Sequence, residues 1–118
     1  MSESNVLLAE INYIKNKVDS IEKIEMLNLR SNKSLREEYL SLLKSDSLLF
    51  SVYKAVDSIR TQHDIAMHIG TTEMSVSRKL PVLAEYGLIE IKTVIGKKKI
   101  YQHTVAEKAF GLTKAAIE

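Results

Sequence analysis

Cysteine is absent from this chain of 118 residues. Without thiols the chain can form neither a disulfide nor a thiolate metal site, and it has no thiol nucleophile. Long apolar runs are missing as well, since none approaches the roughly 20 residues that span a bilayer. The N-terminus lacks the basic start and apolar core of a secretory signal. We therefore expect a cytoplasmic protein with no membrane partner.

Catalytic patterns are also lacking. The sequence has no glycine-rich phosphate loop, no activated serine and no converging carboxylates. His63 and His68 lie on one predicted helix, but a spacing of five residues sets them about 140° apart, which suits no shared metal ion. We expect no enzyme activity, no bound metal and no cofactor.

An excess of charge of one sign is missing overall, because the formal net charge is only +2. Lysine and arginine nevertheless outnumber acids by seven to four between residues 60 and 103, whereas residues 1–45 carry seven of each sign. The basic excess therefore lies in one segment, where it favours an anionic partner.

The N-terminal segment has the apolar spacing of a helix. Its apolar residues recur at alternating intervals of four and three, which places them on one stripe as in a coiled-coil seam. These residues are Leu7, Ile11, Ile14, Val18 and Ile21. Two interpretations stay open: a short coiled coil between subunits, which we favour, and an amphipathic helix packed on its own domain. We assign residues 1–45 as an N-terminal helical extension for dimerisation and residues 46–118 as the main domain.

Capping residues predict the next two helices. Ser34 followed by Glu37 is a capping-box pattern, which predicts a helix from Leu35 to about Lys44. Asp46 between two serines predicts the start of another helix, which covers residues 48–58.

Residues 61–87 predict two helices joined by a tight turn. Thr61 can cap the first helix, Gly70 can end it in the left-handed conformation, and the Thr71-Thr72 pair can cap the second. A projection at 100° per residue gives the second helix a core side. That side carries Val76, Leu80, Leu83 and Ala84.

The opposite side of this second helix carries short polar groups and an arginine. The outward residues are Thr71, Met74, Ser75, Arg78, Val82 and Glu85, with Lys79 on one flank and Glu73 and Ser77 nearer the core. Small side chains let a helix approach DNA closely, and arginine can bond bidentately to guanine in the major groove. Met74 can contact a thymine methyl or pack at the turn, and both interpretations stay open.

Beyond Gly87 the pattern becomes that of a β-hairpin. Residues 88–95 and Ile100-Tyr101 are rich in β-branched and aromatic side chains, and Gly96-Lys97 suits a two-residue turn. Residues 106–117 predict one last helix, which Gly111 weakens. The predicted fold class is mainly α with a small β-hairpin (α+β), and the element order is that of a winged helix-turn-helix.

The run TTEMSVSRKLPVLAEYGLIE, with Ala66 and Gly70 before it, resembles the winged-helix repressors of the ArsR/MarR type. The resemblance covers roughly residues 47–104. The positions that match the family's recognition helix and its entry into the wing are Thr72, Val76, Ser77, Arg78, Leu80, Leu83, Gly87 and Leu88.

The resemblance implies a homodimer that binds a pseudo-palindromic operator in double-stranded DNA, within the cytoplasmic nucleoid. It implies a recognition helix over about 72–86 in the major groove and a basic wing over 96–99 on the backbone or minor groove. The DNA contacts that we expect are Thr71, Thr72, Met74, Ser75, Ser77, Arg78, Lys79, Lys97, Lys98 and Lys99. The alternative function is a winged-helix module for protein assembly that does not bind specific DNA.

Two departures from the family pattern stand out. Metal sensors of this type use a cysteine pair, which the chain lacks, or acidic and histidine ligands on the last helix, for which only His103 and Glu107 are candidates. The second departure is Pro81 inside the recognition helix, where it deletes the backbone bond to Ser77. We expect it to kink or loosen the helix at a cost of about 3 kcal/mol.

Overall fold

A computed structural model describes residues 22–117, so the predicted seam from Leu7 to Ile21 lies outside the described residues. The elements are α1 (22–30), α2 (Lys33–Ser45), α3 (Ser47–Ala55), α4 (Gln62–Ile69), α5 (Glu73–Glu85), β1 (Ile89–Ile95), β2 (Lys98–His103), α6 (Val105–Phe110) and α7 (Leu112–Ala115). The predicted α+β class, mainly helical with one antiparallel hairpin, is confirmed. None of the described helices is both long and apolar enough to cross a membrane.

The starts of α2 and α3 depend on side-chain caps. The Asn32 side chain accepts a hydrogen bond from the Leu35 N–H at 3.1 Å and begins α2, so the predicted cap at Ser34 is wrong by two residues. Asparagine is as good a helix cap as serine, and Asn32 comes before Ser34 in the chain, so α2 begins earlier than predicted. The predicted cap of α3 is confirmed, because Asp46 accepts from the Leu49 N–H at 3.0 Å.

α3 ends at Ala55, three residues before the predicted end. The Asp57 carboxylate accepts hydrogen bonds from the N–H groups of Ile59 and Arg60, which offers the backbone an alternative to the helix. Ser58 adopts a positive φ of 71°, and its N–H donates to the Tyr101 carbonyl of β2. The hydrogen bond to a distant strand therefore accompanies an α3 that ends earlier than its apolar pattern predicts.

α4 and α5 meet at a tight turn, as predicted. Thr61 and Asp64 form a reciprocal capping box at the start of α4. Gly70 ends α4 in the left-handed conformation, with φ of 74°. This conformation is energetically unfavourable for any residue that has a β-carbon. The Thr72 side chain then accepts from the Ser75 N–H and begins α5.

The hairpin follows α5 with the predicted two-residue turn. Ile95 pairs with Lys98, and Gly96 between them has φ of 64°. The register shifts between Ile91 and Thr93, which leaves Lys92 as a bulge. Thr61 forms an isolated antiparallel β-bridge with Ile100 of β2, so the start of α4 is held against the hairpin.

The C-terminal tail contains two short helices instead of the single helix that we predicted. Gly111 adopts φ of 60° and ends α6, and α7 begins immediately after it. A glycine that the pattern allowed within a helix therefore separates two helices, which places Leu112 in the core.

The core side of α5 is largely as projected. Val76, Leu80 and Leu83 are buried, whereas Ala84 is exposed, so its assignment to the core is wrong. A projection gives the direction of a side chain but not whether another element covers that end of the helix. Tyr39, Leu40 and Leu43 of α2 belong to the same core, which therefore extends across residue 45.

Candidate nucleic-acid interface

The first turns of α5 carry short side chains at the surface. The Thr72 hydroxyl donates to Ser75 Oγ at 2.9 Å while its oxygen accepts from the Ser75 N–H at 3.1 Å. The Ser77 hydroxyl donates to the Met74 carbonyl at 2.7 Å. These local bonds hold the hydroxyls close to the helix, so none of these short side chains extends far from its surface.

Met74 and Arg78 project from the same surface one turn apart. Met74 is 63% exposed, and Arg78 Nη2 lies 3.5 Å from Met74 Sδ. Both side chains are long enough to reach beyond the short polar groups around them. Met74 is thus a surface residue and does not pack at the turn, which was the alternative interpretation.

A groove of about 410 Å³ separates α5 from the hairpin turn. It lies between the start of α4, one side of α5 and the end of the hairpin. Its lining residues are Thr61, Gln62, His63, Glu73, Ser77, Leu80, Pro81, Lys97, Lys98, Lys99 and Tyr101. All three lysines are exposed, so the tertiary fold brings the predicted basic tip beside α5.

Within residues 22–117, Glu73 is the one acid that lines this groove. Its Oε2 lies 3.5 Å from Nδ1 of His63, and both side chains are more than half exposed. The projection placed Glu73 nearer the core, which is wrong. The pair joins two helices across the turn, and no periodicity within either helix indicates it.

Lys79, which we expected at the interface, makes an ion pair with another helix. Its Nζ lies 2.6 Å from Asp46 Oδ2, and both side chains are about two-thirds buried. The Lys79 ammonium, followed by the backbone bond from Leu49, lowers the pKa of the Asp46 carboxyl below its ordinary value. Lys79 therefore contacts the start of α3 in this structure, and its ammonium does not extend freely into solvent.

The C-terminal end of α5 is bound to α2 as well. The Tyr39 hydroxyl donates to the Tyr86 carbonyl at 2.7 Å, just beyond the end of α5. Burial raises the pKa of Tyr39, with a smaller contribution from Glu38, so this donor stays protonated. Tyr39 and Tyr86 are 47 positions apart, so no short-range pattern in the sequence indicates this contact.

Pro81 does not interrupt α5, which runs continuously from Glu73 to Glu85. Pro81 is exposed, and both it and Ser77 border the groove. Because Pro81 has no N–H, the Ser77 carbonyl loses its helical donor, yet α5 stays continuous through the proline.

His103 and Glu107 each have a structural partner. His103 Nε2 lies 2.7 Å from the Tyr53 carbonyl, and the Tyr53 hydroxyl donates to Glu107 at 2.5 Å. Glu107 also accepts from the Thr113 hydroxyl at 2.5 Å. Burial, then the Glu107 carboxylate, raises the pKa of Tyr53 far above its ordinary value. In residues 22–117, no group of three acidic or histidine side chains could hold a metal ion.

The base of the hairpin is acidic, in contrast to its tip. A cavity of about 830 Å³ there is lined by the carboxylates of Glu22, Glu25, Asp57 and Glu90, with Lys108 among them. Glu90 and Val94 are four strand residues apart, or about 13 Å, and Val94 pairs with Lys99. The charge of the hairpin therefore changes sign along its length.

Comparison with known proteins adds no relative: no family model matches the chain, and neither a curated protein nor a solved structure matches it.

Proposed function

We propose that this protein is a sequence-specific regulator of transcription that binds double-stranded DNA as a homodimer. In this proposal α4 and α5 are a helix-turn-helix, α5 is the recognition helix in the major groove, and the hairpin is a basic wing on the adjacent backbone or minor groove. The observation that carries the proposal is the position of Lys97, Lys98 and Lys99 beside the exposed first turns of α5.

The exposed side of α5 suits a major groove. Thr72 and Ser75 are short and locally bonded, so a helix backbone can lie close to base edges. Arg78 can donate two parallel hydrogen bonds to a guanine, the commonest specific contact in this groove. Exposed Met74 offers an apolar contact to a thymine methyl.

The distribution of charge supports one orientation on DNA. Three lysines line the hairpin side of the groove between α5 and the hairpin turn, whereas carboxylates line the cavity at the hairpin base. Phosphates attract the first surface and repel the second, so the molecule has one favourable side. A net charge of only +2 is then no obstacle, because position matters more than the total.

A protein-assembly module is the second candidate, and exposed aliphatic residues of β1 favour it. Ile91, Val94 and Ile95 are 49%, 52% and 63% exposed, which is more apolar surface than a purely electrostatic wing needs. In that case the same hairpin would contact another protein, and DNA binding would be absent.

Titration of random-sequence duplex DNA at increasing salt separates the two functions. A regulator that makes about four to eight phosphate contacts should lose affinity with a log–log slope near −0.9 for each contact. Fluorescence anisotropy of a labelled duplex measures this slope. Absence of binding at low salt would contradict the DNA-binding proposal and leave the assembly module.

The homodimer is proposed to form through the N-terminal seam. In the described part of the chain, α1 continues this segment and leaves Ile24 and Leu27 58% and 52% exposed, as expected of a helix with an unburied apolar side.

Ile11→Glu with Val18→Glu should convert the dimer to a monomer, because two charges would be buried in a seam. Analytical ultracentrifugation measures the mass, with Asn12→Glu plus Asn16→Glu as the control off the seam. A dimer that survives the first pair would place the subunit contact elsewhere.

A further inference from the structure

We propose that Asp46 is a positioning residue that sets the orientation of α5 through its ion pair with Lys79. The inference rests on the proposed DNA-binding function and deepens it, because it names a residue that acts on specificity without touching DNA. It also gives Lys79 a role other than the phosphate contact expected from the sequence.

The Asp46 carboxylate joins two elements at once. One oxygen, Oδ1, accepts from the Leu49 N–H at 3.0 Å and caps α3, while Oδ2 lies 2.6 Å from Lys79 Nζ on α5. The cap fixes the carboxylate relative to the α3 backbone, so little side-chain freedom remains to be lost when Lys79 binds. An ion pair on a preorganised carboxylate transmits position better than one between two mobile side chains.

A second contact holds the C-terminal end of α5, whereas Lys79 lies at the middle of the helix. The Tyr39 hydroxyl donates to the Tyr86 carbonyl at 2.7 Å, seven residues after Lys79 and therefore about 10 Å further along the helix axis. We refer to Asp46–Lys79 and Tyr39–Tyr86 as the anchoring contacts. Two contacts separated along an axis restrain both the translation of the helix and its tilt.

The anchoring contacts leave the proposed DNA-facing turns free. Among the described residues, the hydrogen bonds of Thr72, Ser75 and Arg78 stay within α5. Lys79 follows Arg78 directly, so a tilt permitted at Lys79 moves the Arg78 guanidinium relative to the bases. Bidentate base contacts tolerate small displacements poorly, whereas phosphate contacts are less demanding in direction. Loss of the ion pair should therefore reduce specific binding more than nonspecific binding.

The anchoring contacts also connect α5 to the proposed dimer. Both α2 and the cap of α3 follow α1 closely in the chain, and α1 continues from the proposed seam. The spacing of the two α5 helices in a dimer then depends on the rigidity of Asp46–Lys79. A dimer with looser α5 helices should accept operator half-sites at more than one separation.

Asp46→Asn tests the inference, because asparagine caps a helix as well as aspartate does but cannot form the ion pair. The two duplexes are one that the wild type selects from a randomised pool and one of equal length with scrambled sequence. We expect the ratio of selected to scrambled affinity to fall roughly tenfold. Electrostatics alone predicts tighter binding to both duplexes, since an acid is removed, and therefore an unchanged ratio.

Lys79→Met and the double variant complete a double-mutant cycle. Lys79→Met retains the aliphatic stem and should show the same tenfold loss, and the double variant should lose no more than either single variant. Glu37→Gln, which removes an exposed acid from α2 outside the proposed interface, is the matched control and should leave the ratio unchanged. Thermal unfolding of each variant confirms that the comparison is between folded proteins.

The outcomes are distinct. An unchanged or higher ratio in Asp46→Asn overturns the positioning role while the proposed function stands. A salt slope on scrambled DNA that is flatter by about 0.9 in Lys79→Met would make Lys79 a phosphate contact and would also overturn it. Failure of the wild type to bind either duplex at low salt overturns the proposed function, and the positioning role with it.

Discussion

Lys98→Glu with Lys99→Glu is expected to weaken binding to every DNA duplex by roughly a hundredfold. Both lysines are exposed beside the groove that separates α5 from the hairpin turn, where a phosphate backbone would pass. Removing a hydrogen bond to a charged group costs about 1.5 kcal/mol or more, and two such removals give this factor. The salt slope should become less steep by about 0.9 for each phosphate that the hairpin no longer neutralises.

The control for this pair is a charge reversal elsewhere on the surface. Lys33→Glu with Lys114→Glu changes the net charge equally, but these exposed lysines lie on α2 and α7. Fluorescence anisotropy at several salt concentrations should show near wild-type slopes for the control. Equal weakening by both pairs would mean that net charge, and not the hairpin, governs binding, and unchanged affinity in the first pair would remove the hairpin from the interface.

Arg78→Ala is expected to weaken binding to a selected operator by about 1–3 kcal/mol, or up to roughly a hundredfold, if Arg78 reads a base. Arg78 is exposed one turn after Met74 and has the reach that the surrounding short side chains lack. The loss should be largest for operators that carry the guanine it contacts and small for operators changed at that position.

Arg78→Lys is the conservative comparison, because it retains the charge but loses the planar fork that binds guanine bidentately. We expect it to restore nonspecific affinity without restoring discrimination at one base pair. Competition between the selected duplex and single-base variants measures this. A uniform loss over all duplexes would assign Arg78 to a phosphate, and no loss would exclude α5 as the recognition helix.

Local chemistry made several features predictable. Thr61, Thr72 and Asp46 accept from backbone N–H groups three residues ahead, so each cap needs only its neighbours. Gly70 adopts the left-handed conformation that a sharp stop requires. Val76, Leu80 and Leu83 of α5 are buried as their periodicity predicts.

Other features could not be predicted because they arise between distant residues. Asp46 and Lys79 are 33 positions apart, and Tyr53 and Glu107 are 54 apart, so neither pair leaves a local pattern. The sequence around Lys79 is the same whether its ammonium contacts a phosphate or a carboxylate, so it does not identify the partner. Only the tertiary structure shows which partner lies within reach.

The sequence by itself determined the caps of α3, α4 and α5, the turn between α4 and α5, the hairpin turn and most of the buried side of α5. Each follows from hydrogen bonds and periodicity within a few residues. The tertiary structure alone decided the end of α3, where Ser58 bonds to β2, and the approach of three lysines to the groove. It also decided that Lys79 is held by Asp46. Packing between elements sets these features, and short-range spacing contains no information about it.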